Sequence, residues 1–255
     1  GAFEVYEALF RQLGIIQAQT FNELLDLPAA LAQGRRMAGK RVAIVTSTGG
    51  AATVVADNVG LMGLDMPAPD AETAQALLAL DLKEASLDRN PIDVTLAGLR
   101  PDLFRAILKI LAESPSYDAI AVVAGSSSIA QPDLVAAPVL DSLGLTEKPV
   151  LVYVSPDAPN IVSHLNRRAI PAFATPESCA AALAALSPRS RLQSGVIPDL
   201  PEVDCSDLSP GALNEAEAKA LFARFGVPIT REVVARTPEA AAAATAAHCV
   251  PATST

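Results

Sequence analysis

Apolar residues follow two rhythms along this chain. Short unbroken runs at Val42–Val45, Ala119–Ala124 and Pro149–Val154 alternate with longer stretches in which apolar positions recur every three or four residues. The unbroken runs read as buried strands and the periodic stretches as amphipathic helices. Strands are predicted at 41–46, near 64–67, and at 119–124, 149–154 and 170–173. Helices are predicted at 51–62, 71–80, 102–113, 132–143, 157–167 and 176–186, with two earlier ones at 2–13 and 20–33. The earlier pair joins the first strand through a polar stretch, Gly34-Arg35-Arg36 to Gly39-Lys40. Pro101, Pro132 and Pro176 stand at or beside helix starts, where a missing N–H costs little.

Strands that are apolar on both faces and linked by helices imply a parallel sheet with helices on each side. Five such strands fit a flavodoxin-like, doubly wound α/β domain of order 2-1-3-4-5. Ligands in that topology lie beyond the carboxyl ends of strands 1 and 3. Strand 1 ends in Ser47-Thr48-Gly49-Gly50 and runs at once into the helical pattern that begins Ala51-Ala52. A helix N-terminus leaves backbone N–H groups unpaired, and its dipole adds partial positive charge there. Residues Ser47, Thr48, Gly49, Gly50, Ala51 and Ala52 are therefore a candidate seat for phosphate or carboxylate. The competing reading is a tight turn whose glycines only let the helix pack closely. Strand 3 ends in Gly125-Ser126-Ser127-Ser128, a ligand-facing loop or an ordinary one. Asn90 and Asp93, in Asn90-Pro91-Ile92-Asp93, are further ligand-facing candidates; the architectural alternative is an Asn that caps a turn and an Asp that fixes a loop.

Beyond Ser187 the pattern breaks at Pro188, Pro198, Pro201 and Pro210, as in a linker. A helix within 213–228, stopped by Gly226 and Pro228, a strand Ile229–Ala235 and a helix opening at Thr237-Pro238-Glu239 follow. One helix–strand–helix unit cannot bury a core of its own, so this segment reads as the start of a further domain.

Composition narrows the chemistry. The chain has 255 residues, 51% hydrophobic and 18% charged, with a net charge of −9. That balance disfavours nucleic acid and anionic membranes as partners, while a small anion can still be held locally at a helix N-terminus. No apolar run reaches the roughly 20 residues that cross a bilayer, and the acidic start GAFEVYEALF is unlike a signal peptide. Cys179, Cys205 and Cys249 form no CxxC pair, which points to reduced structural thiols in a cytoplasmic protein and to no metal site. His164 lies in a charged helical stretch, SHLNRR, and reads as a solvated position; His248 beside Cys249 makes no metal site. No catalytic Ser-His-Asp pattern, GxGxxG or P-loop is present. The scarcity of aromatic residues, 4%, argues against flavin.

The succession RVAIVTSTGG, Asn90-Pro91-Ile92-Asp93, YDAIAVVAGSSS, KPVLVYV and AIPAFATPESCAAALAAL resembles the nucleoside-diphosphate-forming acyl-CoA synthetases. These are the relatives of succinyl-CoA synthetase that include the ADP-forming acetyl-CoA synthetases. The segment LNEAEAKALFARFGVPITREVVARTPEAAAAA is similar to the opening of their ATP-grasp domain. The resemblance implies that 1–38 is the tail of a first flavodoxin-like domain and 40–188 a complete second one, the CoA-ligase domain. It likewise implies a linker at 189–204 and a truncated ATP-grasp start at 205–255. The implied parent is an acid–CoA ligase that makes acyl-CoA from a carboxylic acid, CoA and ATP through an acyl phosphate and a phosphohistidine. It uses ATP/ADP, Mg²⁺ and CoA, and its histidine lies upstream of Gly1. This chain then carries no catalytic residue and binds no cofactor alone, is inactive by itself, and supplies a helix N-terminus that faces the phosphohistidine. Its partners are the CoA-binding and ATP-grasp domains of the same polypeptide; phosphate or sulfate could bind, and faces that normally meet those domains could self-associate. Relatives often place proline after the two glycines, where this chain has Ala51. Two other functions stay open: a synthetase-like regulatory region of a protein lysine acetyltransferase, and a non-catalytic anion-binding or assembly module.

Overall fold

In the computed structural model, which describes residues 2–125, 131–188, 203–208, 211–230 and 233–248, the unbroken apolar runs pair side by side. The chain divides into two units, 1–193 and 194–255. In the first, β1 (Val42–Thr46), β2 (Ile92–Asp93), β3 (Ala119–Ala124), β4 (Val150–Val154) and β5 (Ala172–Phe173) form one sheet in the order β2-β1-β3-β4-β5. Every pairing is parallel. This is the predicted doubly wound α/β architecture.

Alternate residues of each strand feed opposite layers, because successive side chains leave a strand on opposite faces. Ala43, Val45, Ile120 and Val122 pack with Phe104, Ile107, Leu108, Val135, Val139, Ile161 and Leu165. These come from α5 (Pro101–Glu113), α6 (Asp133–Leu143) and α7 (Pro159–Arg167). Val42, Ile44, Ala121 and Val123 pack instead with Leu27, Val55, Val59, Cys179 and Leu183. That layer is α2 (Phe21–Leu31), α3 (Gly49–Leu61) and α8 (Pro176–Leu186). The helices after β1 and after β3 therefore lie on opposite faces, and the sheet opens between the carboxyl ends of those two strands.

The outer edge of β1 departs from the expected second strand near 64–67. Only one bridge forms there, Arg41 with Asp65, through Val42 N–H to Asp65 C=O at 2.8 Å and Asp65 N–H to Lys40 C=O at 2.9 Å. Pro67 and Pro69 have no N–H with which to extend it. The sheet strand is Ile92–Asp93, paired with Val45 and Thr46, after the chain has returned through α4 (Ala71–Leu78).

Residues 20–37 are bound into the same unit. Thr20 caps α2 through Glu23 N–H (3.1 Å), Leu27 and Ala30 are buried, and Met37 N–H donates to Leu186 C=O at 2.9 Å. The Arg35 guanidinium donates to Leu143 C=O (2.7 Å) and to Thr146 C=O at the end of α6, where helix carbonyls lack intrahelical partners. By contrast α1 (Phe3–Gln12) buries none of its residues.

In the second unit, α9 (Glu215–Arg224) starts with a reciprocal capping box between Asn214 and Glu217, and α10 (Pro238–His248) follows. The expected strand Ile229–Ala235 is absent among the described residues 227–230 and 233–235. A strand needs a partner ladder, and the regular elements described in this unit are helices.

At the amino end of the sheet, Asp118 accepts from Arg41 N–H (2.9 Å), Nε (3.0 Å) and Nη2 (3.0 Å). Its side chain is only 5% exposed. Burial pushes the carboxyl upward, but the Arg41 side-chain and backbone bonds and the charges of Arg41 and Lys148 outweigh it and hold the group below its ordinary 3.8. A folded-state value below the unfolded one means the stabilisation is complete above 3.8 and is lost as pH falls through the folded value. Asp118→Asn is therefore expected to cost about 1–2 kcal/mol near pH 7, with the difference from the parent shrinking as pH falls towards about 3. Urea unfolding midpoints across that range check it, and a gap that stays constant with pH would refute the assignment.

Candidate functional site

β1 delivers its carboxyl end to an exposed turn. Thr46, 2% exposed, ends the strand, and its hydroxyl both accepts from Thr48 N–H (2.8 Å) and donates to Thr48 C=O (3.0 Å). This small ring locks the chain reversal that starts α3. The first bond of α3 runs from Ala52 N–H to Thr48 C=O at 3.2 Å. The amides of Thr48 and Ala52 are thus engaged, and no bond joins those of Gly49, Gly50 and Ala51 to any described residue.

Thr48 is an exception among the helix-capping side chains. Thr20, Asp70, Thr175 and Asn214 each accept from the backbone N–H three residues on, as does Thr237. Thr48 stands at the same place on α3 and makes no such bond. Its Oγ1 lies instead over Gly125, in the space a β-carbon there would fill. The Ala51 amide that such a cap would take is consequently left without a partner among the described residues, and a side chain on Gly125 would have to displace the Thr48 hydroxyl.

Three of the predicted loops meet here. The Ser47 hydroxyl lies 3.8 Å from where a Gly125 β-carbon would be, and its oxygen is buried with no partner among the described residues. On the other side, Asp93 follows Ile92 out of β2, and its Oδ2 stands 3.4 Å from the corresponding point on Gly49. Asp93 Oδ1 accepts from Thr95 N–H (2.9 Å), which fixes the carboxylate. No described atom lies within 4 Å of the Gly50 β-carbon position. Ser126, Ser127 and Ser128 lie outside the described residues.

Asn90 has a different place. Its Oδ1 accepts from Ile44 N–H (3.0 Å), and its Nδ2 donates to Val42 C=O (2.8 Å) and Pro67 C=O (3.1 Å). The side-chain amide thus occupies the edge of β1 as a neighbouring strand would, and nothing of it is left for a ligand. Thr46 has no role of its own in the sequence reading. A hydroxyl two residues before the bonded amide is the signal that could have revealed it.

The remaining chemistry-bearing side chains lie elsewhere. His164 Nε2 is 3.4 Å from Asp133 Oδ1, which also takes Arg168 Nη1 at 2.7 Å, on the α6–α7 surface. Burial pushes the Cys179 thiol up to about 12, so it is inert inside the α2–α3–α8 layer. No group of three or more His, Cys, Asp or Glu is arranged for a metal among the described residues. No described helix is long and apolar enough to cross a membrane.

Fold and crevice together define an open, parallel α/β domain with an uncapped helix N-terminus at its switch point. No protein-family model matches the chain. It is similar to the alpha subunit of ADP-forming acetate–CoA ligase II of Pyrococcus furiosus, 29% identical over 204 residues, 76% of this chain and 43% of that protein. A trans-feruloyl-CoA synthase of an unknown prokaryotic organism is 27% identical over 265 residues, covering 96% of this chain and 36% of its own length. Among solved structures, the dinucleotide-forming acetyl-coenzyme A synthetase 1 of Ca. Korarchaeum cryptofilum in its apo form aligns with a TM-score of 0.64. That match has 29% identity and covers 73% of this chain and 41% of the other. The same protein in complex with phosphate and ADP gives 0.63 at 30% identity, over 73% and 40%. The chain is thus similar to ADP-forming acetate–CoA ligases and spans less than half the length of the relatives it matches.

The bonding of Asn90 yields a prediction. Asn90→Ala strands the Ile44 N–H and the Val42 C=O and is expected to destabilise the unit by about 2–4 kcal/mol. Asn90→Asp keeps the acceptor for Ile44 but sets oxygen against the Val42 and Pro67 carbonyls, so it too loses stability. Urea denaturation measures both; a neutral Asn90→Ala variant would contradict an edge-bonding role.

Proposed function

We propose that this chain is the part of a nucleoside-diphosphate-forming acyl-CoA synthetase that receives a phosphoryl group at the head of α3. The group is carried there by a histidine of another segment of the same protein. The observation that carries this reading is that the amides of Gly49, Gly50 and Ala51 have no partner among the described residues, that of Ala51 because Thr48 does not cap it. Backbone donors fixed before the ligand arrives stabilise spread negative charge without having to reorganise. In the proposed reaction, phosphate attacks an acyl-CoA, CoA leaves, and the acyl phosphate passes its phosphoryl group to the histidine, releasing the carboxylate. A nucleoside diphosphate then takes it. The reverse sequence makes acyl-CoA from acid, CoA and ATP.

On this reading residues 1–38 are the tail of a first flavodoxin-like domain, 40–188 the second, 189–204 a linker and 205–255 the start of an ATP-grasp domain. Similarity to the feruloyl-CoA synthase over 96% of the chain supports a shared order that reaches into the second unit. The CoA, nucleotide and Mg²⁺ sites and the nucleophilic histidine then belong to other parts of a longer protein. Incubating the chain with a carboxylic acid, CoA, ATP and Mg²⁺ is accordingly expected to give no acyl-CoA.

Gly50→Asp tests the seat. The side chain has open space, and negative charge in the first turn suits the helix dipole, so thermal stability should hold or rise by about 0.3–1 kcal/mol. Phosphate affinity, read by calorimetric titration, should fall by more than about tenfold. Unchanged phosphate binding in a folded Gly50→Asp variant would remove the seat from the mechanism.

A further inference from the structure

We propose that Asn166 closes the outer edge of β5 and so keeps this chain from pairing, strand to strand, with a second copy of itself. The inference is independent of the phosphate-seat reading. It concerns the two ends of the sheet order β2-β1-β3-β4-β5, where backbone groups face outward with no further strand to meet them. Such an edge is a template for another chain unless something occupies it. At the β2 end the occupant is backbone. Asp93 N–H donates to Ser86 C=O (3.1 Å) and Ser86 N–H donates to Asp93 C=O (2.8 Å), in an antiparallel bridge.

At the β5 end the occupant is one side chain. Val152 of β4 stands opposite Ala172, and its N–H donates to Pro171 C=O at 2.8 Å. A parallel ladder bonds a residue to the neighbours of the one it faces, so the N–H and C=O of Ala172 itself point away from β4. The Asn166 carboxamide takes both. Ala172 N–H donates to its Oδ1 (2.9 Å), and its Nδ2 donates to Ala172 C=O (3.1 Å). An amide side chain can do this because it presents a donor and an acceptor side by side, as a strand residue does. Asn166 lies in the last turn of α7, and Ala169, at φ +58°, reverses the chain so that β5 runs back beside it. The side chain makes no other hydrogen bond to a described residue, so the edge is what it serves.

With Asn166 removed, Ala172 is free to meet its own counterpart. A residue whose N–H and C=O both face outward can sit on a twofold axis, where it exchanges both bonds with the same residue of the partner in an antiparallel pair. The β5 strands of two copies would then join two five-stranded sheets into one. Asn166 fills those bonding positions first.

Sedimentation of the full chain over a range of concentrations tests this. Asn166→Ala is expected to dimerise at least about tenfold more tightly than the unaltered chain. Adding Ala172→Pro, which deletes the outward N–H, should return association to the level of the unaltered chain. An Asn166→Ala variant no more associated than the unaltered chain overturns the proposal. Association that persists with Ala172→Pro does so too, since it then arises elsewhere. Amide exchange followed by NMR on the unaltered chain needs no variant to fold. There the Ala172 N–H should exchange at least about a hundredfold more slowly than an unstructured amide. Exchange at the unstructured rate would mean that Asn166 does not hold the edge, and the role falls.

Discussion

The free edge of β1 is the constraint on which the rest of this domain depends. All five of its residues are buried, so each backbone N–H and C=O on that edge needs a partner inside the protein. No long strand supplies them. Asp65 takes the first positions, the Asn90 side chain the middle ones and Ile92–Asp93 the last, with Val94 N–H closing on Thr46 C=O at 2.8 Å. Leaving one such group unpaired costs about 1–3 kcal/mol, a large part of a domain's net stability. The short segment that satisfies this edge also carries Asp93 to the head of α3. Asn90 thus serves the sheet edge, and Asp93, three residues on, reaches the first residue of α3.

This arrangement explains which features could be read from the residues. The cores of β1, β3 and β4 were legible because strands buried on both faces leave unbroken apolar runs. The start of α8 was legible because Pro176 suits the first turn of a helix. The edge strand was not, since two residues make no pattern and their pairing depends on a side chain bonded across the sheet. Leu64 and Met66 offered a strand-like alternation that the prolines at 67 and 69 cut short. Apolar content in Ile229–Ala235 likewise suggested a strand, yet hydrophobicity alone cannot supply a ladder partner. At the crevice, the glycine turn could be seen in the sequence. The approach of Asp93 to Gly49 and of Thr48 to Gly125 could not, because both follow from register between distant strands.

Both units also carry apolar surface that they do not bury. On the first, Phe3, Val5, Tyr6 and Leu9 of α1 are all more than 40% exposed, and on the second so are Phe222, Phe225, Val227, Val233 and Val234. Exposed apolar side chains of this kind are ones that further protein can cover. It fits a chain whose relatives are more than twice as long as the stretch they share with it. It also fits the proposed division of labour, in which the phosphoryl donor arrives from another part of the same protein.

The proposal that an acidic chain receives an anion looks contradictory only if side-chain charge is taken to do the binding. The net charge of −9 sets the long-range field, which salt screens over about 8–10 Å. At the head of α3 the donors are peptide amides, neutral, fixed by the helix and unable to titrate. They therefore act at contact distance regardless of the distant acidic surface. An arginine in their place would hold phosphate and sulfate alike through its charge.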